Sequence, residues 1–180
     1  MRLFVALELP GDVRAALAAW GARAAAADPA LRAVGEDALH LTLAFLGERG
    51  EDDVEPLRRV VRACAAPVAA LSLGEGLWLA PRRPQVLTVA VEDGDGALAR
   101  VQAAVVRALA AAVGFEAEAR LFRPHVTVAR VRRGERPRRS RVPAMPATST
   151  FAGEALSLMR SRLGRGPARY EALERVLLQG

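Results

Sequence analysis

The chain has 180 residues, enough for one compact domain with a good core or for two small lobes sharing one. Apolar residues make up 52% and charged residues 26%, the proportions of a soluble globular protein, and the single cysteine, Cys64, excludes an internal disulfide and a cysteine metal cluster. A net charge of +6 favours anionic partners such as nucleic acid, nucleotide or phosphate. Every basic side chain is arginine, and lysine, asparagine and isoleucine are absent, a bias that fits a GC-rich coding sequence better than any chemistry.

From the start, Leu3 to Leu9 reads as a short buried strand halted by the turn pair Pro10-Gly11. It lacks a signal peptide's apolar core and cleavage site, and no uncharged apolar run reaches the roughly 20 residues of a membrane span. A soluble, cytoplasmic monomer with no membrane partner is the expectation. Asp12 is the predicted N-cap of a helix to about Ala27, with Val13, Leu17, Trp20 and Ala24 on one face. Asp28-Pro29 ends it. After a loop, Leu39 to Phe45 predicts a strand, Asp52 to Ala66 a helix, and Val68 to Leu79 a strand interrupted by Gly74 and Gly76.

The order then restarts. Val86 to Glu92 alternates as a strand, and Ala97 to Val113 predicts a helix with Gly114 as its C-terminal cap. From Leu3 to His40 is 37 positions and from Leu87 to His125 is 38, so strand, helix, connector and histidine recur at nearly one length. This suggests two related lobes, approximately residues 1–84 and 85–180, within one domain spanning 1–180, with strands exchanged at the ends. Arg130 to Arg141 holds seven arginines with Gly134 and Pro137 and reads as an exposed loop. Leu156 to Leu163 and Ala168 to Leu178 predict a closing strand pair.

Only two histidines occur, and both stand in the pattern His–apolar–Thr–apolar: His40-Leu41-Thr42-Leu43 and His125-Val126-Thr127-Val128. With five threonines in the whole chain, chance would produce this on the order of once in ten thousand. Along a strand, His and Thr share one face while the two apolar residues anchor the other. Two imidazoles and two hydroxyls around one cleft suit a phosphate ester. One imidazole takes a proton from the nucleophile, the other gives one to the leaving oxygen, and an ordinary imidazole pKa near neutrality allows both forms. The hydroxyls can hold non-bridging oxygens. A zinc site is the rival, but the histidines are 85 positions apart and no third ligand or His-Glu-x-x-His pattern accompanies them. No cofactor is expected.

These motifs resemble those of the two-histidine (2H) phosphoesterase superfamily, most closely its bacterial and archaeal RNA 2′,3′-cyclic phosphodiesterases, also called 2′-5′ RNA ligases. The matching stretches are Arg2-Leu3-Phe4-Val5-Ala6, His40 to Gly47, Phe122 to Arg130 and Gly166-Pro167-Ala168-Arg169-Tyr170-Glu171. The resemblance implies an α+β fold of two pseudo-symmetric lobes, each a small antiparallel sheet backed by helices, with the active cleft between them. It implies metal-independent hydrolysis of 2′,3′-cyclic phosphate ends of RNA or nucleotides to 2′-phosphates. His40 becomes the proton donor, His125 the proton acceptor, Thr42 and Thr127 the phosphate holders, and Arg130 a phosphate contact. Strict alternation would turn Arg130 away from His125 and Thr127, so a strand end or bulge must re-aim it. The alternatives are reversible 2′-5′ ligation, action on a small nucleotide such as an ADP-ribose cyclic phosphate, and a non-catalytic RNA-binding module. An aromatic content of 4% leaves the last little surface for stacking bases.

Overall fold

A computed structural model describes residues 1–79, 83–117, 119–138, 142–143, 149–162 and 169–178. The strands are β1 (Arg2–Glu8), β2 (Leu31–Ala33), β3 (Leu41–Glu48), β4 (Leu71–Leu79), β5 (Val86–Asp93), β6 (His125–Val131), β7 (Ala155–Arg162) and β8 (Arg169–Leu177). The α-helices are α1 (Gly11–Ala27), α2 (Val54–Cys64) and α3 (Ala97–Val113), and a 3-10 turn covers Glu36–Ala38. All strands join one antiparallel sheet in the order β4-β5-β6-β3-β1-β7-β8, with β2 also paired to β6.

The two small sheets expected from the sequence are halves of this one sheet. They meet where β3 and β6 pair, at Leu41 and Val126. On one side β3 is followed by β1, β7 and β8; on the other, β6 is followed by β5 and β4. Elements cross between the repeats. β4 follows the first repeat in the chain yet pairs with β5, and β7 follows the second yet pairs with β1. The helices cross as well, since α1 packs on β6 and α3 on β3.

Burial accounts for the arrangement. Leu3, Val5 and Leu7 of β1, Leu41 and Leu43 of β3, and Val126 and Val128 of β6 are buried, as are Val13, Leu17, Trp20 and Ala24 of α1. Together they form one core under the helices. Helix α1 comes close to β6 at Gly21, where an added Cβ would lie 2.8 Å from the Val128 carbonyl oxygen. A glycine in mid-helix costs propensity, and close packing here is what it permits.

Four local expectations change. Pro10, not Asp12, occupies the cap position of α1, and no side chain caps it; Asp12 lies inside the first turn, where a carboxylate still favours the helix dipole. The strand expected over Leu39 to Phe45 runs from Leu41 to Glu48, through Gly47, which takes φ of 71° and still pairs with Leu3. The loop before His40 contains β2, three residues too short for a periodic signal. The arginine stretch begins inside β6, and Arg132, Arg133, Arg136 and Arg138 are exposed beyond it; residues 139–141 lie outside the described residues, as does the turn predicted at 164–167.

Candidate active site

The Leu41–Val126 pair sits at the centre of the sheet and sets the geometry of both motifs. In an antiparallel ladder with that register, His40 lies across from Thr127 and Thr42 across from His125. The four polar residues share the face opposite to Leu41 and Val126, which are fully buried. The histidines are therefore diagonal neighbours, at a spacing of about 7–8 Å between backbones. A single pocket is lined by His40, Thr42, His125, Thr127 and Arg130, together with Val34, Ala38 and Tyr170.

Arg130 reaches that pocket because of a bulge. Between Leu87 and Thr88 of β5, the partner on β6 jumps from Ala129 to Thr127, leaving Val128 as an extra residue. Val128 and Ala129 are consequently both buried, and Arg130 emerges on the cleft face, exposed. The first motif repeats the device. Between Val5 and Ala6 of β1, the partner on β3 jumps from Ala44 to Thr42 past Leu43. Phe45, five residues after His40 as Arg130 is five after His125, emerges exposed with the Arg2 guanidinium 4.9 Å from its ring centre.

Each imidazole is oriented by the carbonyl two residues before it. His40 Nδ1–H donates to the Ala38 carbonyl at 2.9 Å, and His125 Nδ1–H donates to the Arg123 carbonyl at 2.7 Å. Ala38 ends the 3-10 turn, while Pro124 holds Arg123 in the extended range that precedes a proline. With Nδ1 engaged, Nε2 of each ring is left for the cleft.

The surroundings of the two rings differ. Phe4 stacks on His40 with ring centres 4.8 Å apart, and Tyr170 meets His40 edge-on at 5.0 Å and Phe4 at 5.2 Å. Burial lowers the His40 pKa to about 4; the Ala38 carbonyl opposes the shift, the Arg130 charge adds to it, Glu8 opposes it, and His125 adds a little. The near-neutral pKa expected of both histidines thus does not hold for His40 in the ligand-free protein. Glu8 accepts from the buried Ser157 hydroxyl and pairs with Arg175 at 2.8 Å.

Val34 and Ala38 carry no sequence signal for the site; Phe4 and Tyr170 belong to matching stretches, but only the paired strands bring them to His40. Thr88 is a contrast. It pairs with Thr127 in register, but its buried hydroxyl donates to the Leu77 carbonyl at 2.9 Å. Among the described residues, no group of three His, Cys, Asp or Glu side chains could hold a metal ion. Among the described residues, no helix is long and apolar enough to cross a membrane.

Comparison with known proteins agrees with this geometry. The sequence profile of the 2′-5′ RNA ligase superfamily matches residues 10–165. An RNA 2′,3′-cyclic phosphodiesterase of Escherichia coli (strain K12) is 32% identical over 176 residues, covering 97% of this chain and 94% of that protein. A relative of the same name from Geobacillus stearothermophilus is 30% identical over 182 residues, and there the chain spans 57% of the relative's length. Among solved structures, TT0787 of Thermus thermophilus superposes with a TM-score of 0.84 at 29% identity, covering 100% of this chain and 99% of that one. E. coli LigT complexed with 3′-AMP gives 0.78 at 27% identity, covering 99% and 98%. The chain belongs to the 2′-5′ RNA ligase superfamily, the two-histidine phosphoesterases that its paired motifs resemble.

Proposed function

We propose that this protein hydrolyses 2′,3′-cyclic phosphate ends of RNA to 2′-phosphates by paired-histidine acid–base catalysis. The observation that carries this reading is the Leu41–Val126 register, which gathers both imidazoles and both threonines around one pocket. Water attacks phosphorus in line with the O3′ atom. His125 Nε2 takes the water proton, the new P–O bond forms, the P–O3′ bond breaks, and His40 Nε2–H supplies a proton to O3′. Thr42 and Thr127 donate to the non-bridging oxygens, and Arg130 balances the charge that builds on them.

His40 is neutral at pH 7 in the free protein, given a pKa of about 4. As proton donor it takes up its proton when the anionic phosphate enters, because a nearby negative charge raises an imidazole pKa. A five-membered cyclic phosphate is strained, so positioning and charge stabilisation supply most of the remaining rate. Ligation, in which an RNA 5′-hydroxyl attacks phosphorus in place of water and the P–O3′ bond again breaks with a proton supplied to O3′, uses the same groups and is the lesser reading supported by the superfamily's name.

The test is incubation with a 2′,3′-cyclic nucleotide in excess chelator, followed by identification of the product. A 2′-phosphate with an intact turnover rate is expected. A 3′-phosphate product would contradict the direction of cleavage, and chelator-sensitive turnover would contradict the histidine-only mechanism.

A further inference from the structure

Two arginines, Arg130 in the pocket lining and Arg32 paired with it on β2, have no carboxylate in ion-pair range among the described residues. Arg32 is the middle residue of β2 and pairs directly with Arg130 of β6. Residues opposite each other on antiparallel strands share a face, with Cβ atoms about 5 Å apart. Leu31 points into the core beneath α1, so Arg32 points to the cleft side, as does Val34, which lines the pocket. Arg32 and Arg130 are both exposed. Like charges directly opposed across a ladder are destabilising, a cost that a bound anion removes.

The neighbouring chain is fastened in place. The carboxylate of Asp28, itself buried, accepts from the backbone N–H groups of Ala30 and Arg138. The Arg132 side chain donates to the Pro29 carbonyl at 3.1 Å, and its backbone N–H donates to the Ala30 carbonyl at 2.8 Å. The arginine-rich segment after β6 is therefore tied along the segment that carries Arg32. Arg32 therefore places a second exposed cation next to Arg130 at the edge of the pocket.

We propose, on the strength of the cyclic-phosphodiesterase reading above, that Arg32 holds the phosphodiester on the 5′ side of the terminal nucleoside. The site thereby takes the end of an RNA strand in preference to a cyclic mononucleotide. A guanidinium fork matches two phosphodiester oxygens and reads no base, so the preference is for chain length and not for sequence.

The test compares kcat/KM for 2′,3′-cyclic AMP and for the dinucleotide ApA ending in a 2′,3′-cyclic phosphate. Wild type, Arg32→Ala and Arg32→Lys are measured at low and high salt. Wild type favours the dinucleotide; Arg32→Ala reduces that preference about tenfold, the scale of one charge-assisted contact. Arg32→Lys restores part of it, and the salt dependence of the dinucleotide reaction flattens by about one phosphate contact in Arg32→Ala. An unchanged preference in Arg32→Ala overturns the assignment of Arg32 while leaving the hydrolase reading intact. If wild type turns over neither substrate, the hydrolase reading fails. Equilibrium binding of ApA 2′-phosphate against 2′-AMP then decides for Arg32: a preference lost in Arg32→Ala supports its role, and an equal preference refutes it.

Discussion

Phe4 and Tyr170 close around His40, while His125 has no aromatic contact among the described residues. This asymmetry has a consequence for stability as well as catalysis. In the unfolded chain His40 titrates near 6.5, and in the folded protein near 4. Above pH 6.5 both states hold it neutral, and it contributes nothing. As pH falls from 6.5 through 4 the unfolded chain binds the proton more readily, so stability is lost across that window. The loss approaches ~3 kcal/mol at pH 4. His40→Gln should therefore lose less stability than wild type between pH 7 and pH 4, read as urea midpoints. Equal losses would show that the ring is not desolvated. For turnover, His40→Ala and His125→Ala should each cost about 10² to 10⁴-fold, and Thr42→Ala or Thr127→Ala less, in single-turnover rates on a cyclic nucleotide. The two histidines and threonines are legible in the sequence because their pattern recurs in a chain with no other histidine. Tyr170 owes its place to strand β8, which no local pattern ties to His40.

Among the elements, the two motif strands are set by bulges and by one helix contact. A bulge leaves no mark in an alternating pattern except a pair of adjacent buried residues, here Leu43-Ala44 and Val128-Ala129. Alanine at the second position is small enough to be read either way, so the emergence of Phe45 and Arg130 on the cleft face required the pairing register. Gly21 is similarly silent, since a glycine in a helical pattern reads only as a weak point. Helix propensity alone predicts that Gly21→Ala gains about 1 kcal/mol. The added Cβ would stand 2.8 Å from a backbone oxygen of β6, however, and overpacking against backbone costs about 1–3 kcal/mol. The contact wins. Gly21→Ala is expected to lower the thermal midpoint and to weaken turnover, because the Val128 segment it displaces carries Thr127 and Arg130. A raised midpoint would show that α1 stands further from β6.

At the scale of the whole molecule, the repeats are interleaved: β4 and β7 each pair with the strands of the other repeat, and α1 and α3 back the opposite motif strand. The nearly equal 37- and 38-residue spacings read as a repeat because insertions would have destroyed them. Which repeat receives β4 or β7 is decided by long-range pairing, which spacing does not encode. Interleaving predicts one cooperative unfolding transition. Trp20 in α1 and Trp78 in β4 are the only tryptophans, so single-tryptophan variants report from the two sides. Their denaturation midpoints should coincide, and separate midpoints would mean that the halves unfold independently. The same architecture brings the two motif strands side by side at the sheet's centre, and the account of function depends on their imidazoles acting on one phosphorus. A crystal structure with a bound nucleotide 2′-phosphate tests this most directly. Nε2 of both His40 and His125 should lie within about 2.6–3.2 Å of oxygens on the same phosphate. A phosphate held by one motif alone, with the other imidazole turned from it, would contradict the account.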